Sequence, residues 1–479
     1  MDKAQILVAS NRGPVSFSIG DDGSVRSRRG GGGLVSGLSS VAAEIETLWV
    51  CAALSDADRK ATAAAPEGRL DKAGYDVGGA SVRMLDIPPE VFANAYNSVA
   101  NSTLWFVHHM LYDTPNKPAF GTRFRGEWAD YRTYNSAFAE ALLTGADEGA
   151  KVAVQDYHLA LVPRMLRVRR PDLRIAHFSH TPWAPPEYFR MLPAEIGREL
   201  LEGMLGADYL GFLSVRWADA FLRCCEVFLR APVNWGTRTV EHGGRVVRTG
   251  VHGLGADAEG LRQRAAAEDV ARWRERLRER VGDRRLVVRV DRTELSKNIV
   301  RGLEAFGELL RERPEWRDRV THLAFAYPSR GAVAEYRAYT ESVRATAEAI
   351  NAEFGTDEWT PVVLEVNDDY PRSLASYQLA DVLLVNPIRD GMNLVAKEGP
   401  VLSLDGVALV LSTEAGAADD LGADSLLVNP YDVTETADAL HRALSMDGEE
   451  RRRRTERLAE AAAALPPQRW FADQLRALD

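Results

Sequence analysis

Two segments of this sequence concentrate side chains suited to holding a phosphorylated, hydroxyl-rich ligand. One is Arg389-Asp390-Gly391-Met392-Asn393-Leu394-Val395-Ala396-Lys397-Glu398, just after the apolar run 382–385. Gly391 permits a tight turn, and a helix starting beyond it would aim the backbone N–H groups of Asn393, Leu394 and Val395 at an anion. Asp390 can accept hydroxyl hydrogen bonds. Glu398, one turn into that helix, has the paired oxygens to chelate both hydroxyls of a ribose. The other segment is Arg289-Val-Asp-Arg292-Thr-Glu-Leu-Ser-Lys297-Asn298. Arg292 and Lys297 put two positive charges beside a helix start that already favours anions, the neutralisation a diphosphate leaving group needs in its transition state. A helix cap with two solvated cations would use the same residues.

The first half of the chain offers a second set. Ser10-Asn11-Arg12-Gly13-Pro14 ends an apolar run, and Arg12 can present a bidentate fork to a phosphate. The glycine run around Gly32 and Gly33 lets backbone amides approach an anion, although a plain surface turn would look the same and neither a GxGxxG nor a Walker spacing is present. Asp156, in Gln155-Asp-Tyr-His158, and His180, in His177-Phe-Ser-His-Thr-Pro-Trp183, each follow an apolar run, where an α/β fold collects polar groups. Structural histidines would fit this placing too. No metal-binding set is expected: Asp56-Ala-Asp58 has DxD form but reads as a solvated polar loop.

These residues need strands to end beside them. Candidate strands are 5–9, 48–52, 151–154, 174–178 and 209–212, then 286–290, 322–326, 362–364, 382–385, 408–411 and 425–428. Most are unbroken apolar runs, the mark of parallel strands covered on both faces. The expected fold is α/β, with two doubly wound, Rossmann-like parallel-sheet domains facing a central cleft. The domains are placed at 1–256 and 257–479, divided after the glycine-rich Gly250-Val-His-Gly-Leu-Gly, with a terminal helix from about 449 to 479 packing back on the first. The arginine run 451–454 in that helix reads as a solvated face.

Composition narrows the classes. The net charge of −10 gives no positive field for nucleic acid or anionic lipid, and three cysteines without a CxxC suit a reducing cytoplasm rather than a disulfide scaffold. The start does not read as a signal peptide. The longest stretch without Asp, Glu, Lys or Arg, 91–112, carries three asparagines and two histidines before its final tyrosine and is too polar to span a bilayer.

The unbroken run 389–398, with Asp156-Tyr-His158, His180-Thr-Pro-Trp183 and Pro328-Ser-Arg330-Gly331, resembles the trehalose-6-phosphate synthase family, retaining glycosyltransferases of GT-B architecture, over nearly the whole chain. The resemblance implies glucose transfer from a nucleoside diphosphate glucose to glucose 6-phosphate, with no metal or other cofactor. It implies that Arg12 and Arg330 hold the acceptor phosphate, with Trp128 lining that site and Asp156 contributing to it. Gly32 and Gly33 would approach the donor phosphates, and Arg292 and Lys297 would neutralise them. Asp156, His180 and Asp390 would orient the sugars. Tyr370, Met392, Asn393, Leu394, Val395 and Glu398 would complete the donor site. In the family's mechanism the leaving phosphate takes the acceptor hydroxyl's proton, so no enzymic nucleophile is needed. Two departures stand out: Met110 occupies the place of a family tyrosine, with Tyr112 out of phase, and Thr293-Glu294-Leu295 replaces Leu-Asp-Tyr before the Ser-Lys pair. Near the base, Asp368 and Asp369 tilt the expectation slightly to GDP-glucose over UDP-glucose, since a carboxylate can accept two adjacent guanine N–H groups; two exposed loop acids would look the same. A homo-oligomer is compatible with this reading. The rivals are a pseudo-glycosyltransferase joining cyclitols, a non-catalytic sugar-phosphate sensor and a glycogen-synthase-like enzyme.

Overall fold

The computed structural model describes residues 3–20, 22–29, 47–331 and 333–479. The chain forms two compact units, Met1–Gly253 with Pro467–Asp479, and Leu254–Pro466. In the second unit six parallel strands lie in the spatial order Val362–Glu365, Val320–Tyr327, Arg285–Arg292, Val382–Val385, Ala408–Ser412, Leu426–Val428. Counted along the chain this is 3-2-1-4-5-6, the doubly wound order that reverses direction between strands one and four. Leu383, Leu384 and Val410 are completely buried, as strands with helices on both faces require.

The first unit repeats the plan. Ser81–Leu85, Thr47–Ala52, Ala4–Ala9, Ala146–Gln155, Arg174–Ser179 and Tyr209–Phe212 again run 3-2-1-4-5-6 and parallel. Arg245–Val251 adds a further parallel strand, and Thr239–His242 and Val233–Asn234 continue antiparallel. A hairpin, Val15–Ile19 with Val25–Arg29, stands apart.

All eleven expected strands are present, and the differences have physical causes. Ser81–Leu85 and Arg245–Val251 were missed because they alternate in burial and carry arginines, as strands near a sheet's margin can. Gly250 is the penultimate residue of a strand rather than the start of a linker; a Cβ there would sit 1.6 Å from the Tyr209 hydroxyl, which explains the glycine. The units divide at Gly253, three residues before the expected boundary. The terminal segment is two helices, Gly448–Ala463 and Pro467–Arg476, and only the second belongs to the first unit. Its arginine run is solvated at Arg452 and Arg453, the latter meeting Glu449 at the surface, while Arg454 meets Glu450 and Arg451 departs from the expectation, buried against Asp381 at 3.0 Å. Asp58 is not solvated either. It closes a capping box with Ser55 and accepts the Phe17 N–H at 2.8 Å. No described helix is long and apolar enough to cross a membrane.

Candidate active site

In the second unit the loops leaving strands one and four are tied to each other where the strand order reverses. Lys297 Nζ donates to Asp390 Oδ2 at 2.6 Å, and Ile388 N donates to Ser296 O at 2.8 Å. Asn298, in the left-handed region at φ 57°, donates to the carbonyls of Asn386 (3.0 Å) and Pro430 (2.7 Å). Burial works against the Lys297 ammonium, but Asp390 and then Asp291 outweigh it and hold its pKa above the ordinary value. Asp291 is itself gripped by the buried Arg289, at 2.8 Å.

Arg292, half-exposed at its strand end, lies 3.0 Å from Glu294 Oε1, whose side chain is wholly buried. Ser329 Oγ donates to the same carboxylate at 2.9 Å. Burial pushes the Glu294 carboxyl up; the pull of Arg292, Arg330 and Lys297 and the Ser329 hydrogen bond overcome it and hold the pKa at about 2. Arg330, at φ 45°, donates to the Tyr336 hydroxyl at 2.5 Å. Glu294 is thus a buried anion that gathers the cations, a part the sequence reading did not assign it.

Asp390 also accepts Asn393 Nδ2 at 3.1 Å. Asn393 is left-handed, at φ 82°, and leads through Leu394 into the helix Val395–Leu402, whose first N–H groups have no acceptor within the helix. Gly416 must be glycine for this loop to close, since a Cβ would lie 2.0 Å from the Gly391 carbonyl. Met392 is buried, and its carbonyl accepts from Ala417 N at 2.8 Å. Lys397 turns into the core, donating to Leu254 O and Asp420. Burial raises the Glu398 pKa to about 7, and its charge reaches Tyr327, Tyr370 and Tyr377. On the base side Asp369 is committed as the cap of the helix Tyr370–Leu379, accepting Arg372 N at 3.0 Å, so only the exposed Asp368 is left of the acidic pair. Tyr370 is half-exposed at the start of that helix.

The first unit gathers neutral polar groups instead. Asp156, leaving the fourth strand, has φ 72° and ψ 170°, a region almost reserved for glycine. Its Oδ1 accepts the His180 backbone N–H at 3.2 Å, and its carbonyl faces His177 Nε2 at 3.1 Å. Burial lowers the pKa of His177 to about 4 and that of His180 to about 3, so both rings are neutral near pH 7. Ser10 and Asn11 are structural: Ser10 Oγ takes the Trp49 N–H at 2.7 Å and Asn11 Oδ1 the Tyr134 hydroxyl at 2.5 Å, leaving Arg12 exposed at the strand end.

One expectation is overturned, one departure finds its place, and one expectation falls outside the described residues. Trp128 is 1% exposed, donates to Glu199 at 2.8 Å and stacks on Tyr131, so it packs the unit and presents no ligand-facing surface. Met110 is the left-handed cap of the helix Trp105–His109, and the Tyr112 hydroxyl is used on Ser102 O at 3.0 Å. Gly32 and Gly33 lie outside the described residues. Unforeseen was the aromatic wall beside Asp156: Tyr96 stacks on His158 and Trp105 on His109, carried by the charge-free segment 91–112, whose Ala93–Leu104 part is π-helical. A long uncharged run rich in Asn, His and aromatic residues was the available signal. Among the described residues no group of three or more His, Cys, Asp or Glu is placed to hold a metal ion.

Residues 4–479 match the glycosyltransferase family 20 profile. The chain belongs to glycosyltransferase family 20. It is 35% identical to the trehalose-6-phosphate synthase of Mycobacterium sp. (strain JLS) over 99% of this chain and 96% of that relative. It is 33% identical to the bifunctional trehalose-6-phosphate synthase/phosphatase of Thermoproteus tenax, covering 99% of this chain but only 63% of that longer protein. Among solved structures, the Escherichia coli protein bound with UDP-2-fluoro glucose superposes with a TM-score of 0.85 at 27% identity, covering 98% of this chain and 99% of that one. The Burkholderia xenovorans α,α-trehalose-phosphate synthase (UDP-forming) in complex with glucose-6-phosphate gives 0.85 at 25% identity, covering 99% of each. The family 20 chain is a glycosyltransferase, and its two doubly wound units are those of the GT-B class.

The strained backbone of Asp156 gives a stability test. Asp156→Gly and Asp156→Ala both lose the carboxylate, but only glycine relaxes at φ 72°. The glycine variant is expected to be more stable by about 1 kcal/mol, read as a higher urea midpoint.

Proposed function

We propose that this family 20 enzyme transfers glucose from a nucleoside diphosphate glucose to glucose 6-phosphate, forming α,α-trehalose 6-phosphate with retention at the anomeric carbon. The observation that carries the reading is the cluster at the second unit's switch point. Arg292, Lys297 and Arg330 converge around buried Glu294, in the same unit as the helix start at Val395. That is machinery for a leaving diphosphate, and its positive charge comes from side chains, so no metal or other cofactor is part of the proposal. Relatives named for this reaction, and one solved with glucose-6-phosphate, support the substrate class.

Within this reading Arg292 and Lys297 neutralise the diphosphate, with the amides of Asn393, Leu394 and Val395 beside it; the donor-phosphate role that the resemblance gives Gly32 and Gly33 falls on residues outside the described ones. Glu398 takes the ribose, and Tyr370 and Met392 border the donor. Arg12 and Arg330 hold the acceptor phosphate, while Asp156, His180 and Asp390 orient the sugars. Retention follows a front-face course in which the departing phosphate oxygen accepts the acceptor hydroxyl's proton as the new glycosidic bond forms. The side chains suit it: His180 is neutral, Asp390 is paired with Lys297, and Glu294 is buried against its cations, so none is poised as a nucleophile with its own base.

The preference for GDP-glucose over UDP-glucose now stands on Asp368 alone, because Asp369 is a helix cap. Relatives named as UDP-forming favour the opposite choice. A cyclitol-joining activity is the second reading, favoured by Met110 and by Thr293-Glu294-Leu295. A cytoplasmic setting, and substrates rather than nucleic acid or membrane as partners, complete the proposal.

The test is purified protein with glucose 6-phosphate and UDP-, GDP- or ADP-glucose, following nucleotide release and the disaccharide phosphate. Turnover with at least one donor is expected, and Arg292→Ala should lower kcat by roughly 10²-fold or more with a far smaller loss of thermal stability. Turnover only with a cyclitol donor, or near-normal activity of Arg292→Ala, would refute the assignment.

Glu398 adds a pH signature. It must be ionised to accept two ribose hydroxyls, and its pKa is about 7. Protons therefore compete with the donor below that pH, and donor affinity is expected to fall about tenfold from pH 8 to pH 6. Glu398→Gln should flatten the profile. The diphosphate of an NDP-glucose does not titrate in this range, so calorimetric Kd values across it report the protein group.

A further inference from the structure

We propose that the C-terminal helix Pro467–Arg476 sets the tautomer of His180, with Gln474 as the positioning residue. The connection is a chain of buried amides within the first unit. His180 Nε2 lies 3.0 Å from Gln155 Oε1, Gln155 Nε2 donates to Gln474 Oε1 at 3.3 Å, and Gln474 Nε2 donates to the Trp470 carbonyl at 3.4 Å. Gln155 and Gln474 are each only 1% exposed, so water cannot substitute for a lost partner.

The direction of this relay follows from its far end. The Trp470 carbonyl can only accept, so Gln474 must turn its NH₂ toward it and its oxygen toward Gln155. Gln155 must then present NH₂ to Gln474 and oxygen to His180, and the histidine must carry its proton on Nε2. Reversing any one amide sets oxygen against oxygen or N–H against N–H elsewhere in the chain. Nδ1 of His180 is thereby kept as a lone-pair acceptor, the form that can receive a sugar hydroxyl. The Trp470 ring, 5.3 Å from the imidazole and edge-on to Phe178, packs against the same strand end. Lys151 anchors the tail, donating to Leu475 O at 3.2 Å and to Asp479 at 2.5 Å.

The catalytic consequence rests on the proposed role of His180 in orienting a sugar; the tautomer itself does not. Protein labelled with ¹⁵N at its nine histidines, with His180 assigned by its loss in His180→Gln, reports the protonated nitrogen from two-bond ¹H–¹⁵N correlations. Native protein should show His180 with Nε2–H alone. Gln474→Leu, close in size and suited to a dry site, should populate Nδ1–H as well and lower kcat about tenfold with little change in KM, about one hydrogen bond's worth. Gln474→Glu keeps an acceptor toward Gln155 and should recover the tautomer and much of kcat. A purely structural site would rank the two the other way, tolerating leucine better than a buried carboxyl. Gln155→Met breaks the relay at its centre and serves if a Gln474 variant fails to fold. A native Nδ1–H signal, an unchanged tautomer in Gln474→Leu, or a shifted tautomer with kcat intact would overturn the proposal. Because the tautomer is read without substrate, failure of the trehalose-phosphate reaction is distinguishable from failure of the relay.

Discussion

The contact between Lys297 and Asp390 is the one on which the second unit's chemistry depends. In a doubly wound sheet, strands one and four are neighbours, but their following helices leave to opposite faces, so the loops at their carboxyl ends must be held by their own side chains. Lys297 and Asp390 do this with a largely buried ion pair, and Asn298 and Ser296 add neutral bonds to the strand-four loop on the same line. Removing either charge would strand the other in a poorly hydrated site, a loss of about 3–5 kcal/mol in comparable pairs. The contact therefore fixes the spacing between the Arg292 strand end and the helix start at Val395, and it keeps the ammonium charged against the cost of burial.

The two units use the same strand order for opposite electrostatic ends. The second gathers three cations around Glu294, an acid held ionised at about 2 by them. The first places neutral imidazoles, amides and aromatic rings around Asp156 and accepts a backbone conformation that side chains normally avoid. One set suits charge that grows during bond cleavage; the other suits hydroxyl groups that need direction and no net field.

Much of this was legible in residue order because parallel strands are apolar and continuous, and because the loops 289–298 and 389–398 carry charges that packing alone does not explain. What escaped had other periodicities or other neighbours. Ser81–Leu85 and Arg245–Val251 alternate like half-covered strands, and Gly250 looked like a linker because its contact, the Tyr209 hydroxyl, comes from a residue 41 positions earlier. Trp128 stands as a ligand wall only through the family resemblance, and residue order offers no check on that role until Glu199 and Tyr131 are brought against it. Asp369 could not be told from a base reader without knowing that a helix begins at Tyr370. Glu294 stands out in the sequence only as part of the departure Thr293-Glu294-Leu295; the fold shows that it is buried beneath Arg292.

The union of Gln155 with Gln474 spans 319 positions and brings a distant helix to a sheet whose strands come far earlier in the sequence. At about 5–20 residues per second of synthesis, Gln474 is made roughly 15 to 60 s after Gln155. During that interval the early sheet can assemble around a cavity-facing amide and an indole-sized gap that the later-made helix Pro467–Arg476 fills. The nascent protein thus carries a built-in delay, and this part of its first lobe is finished only once Gln474 has been made.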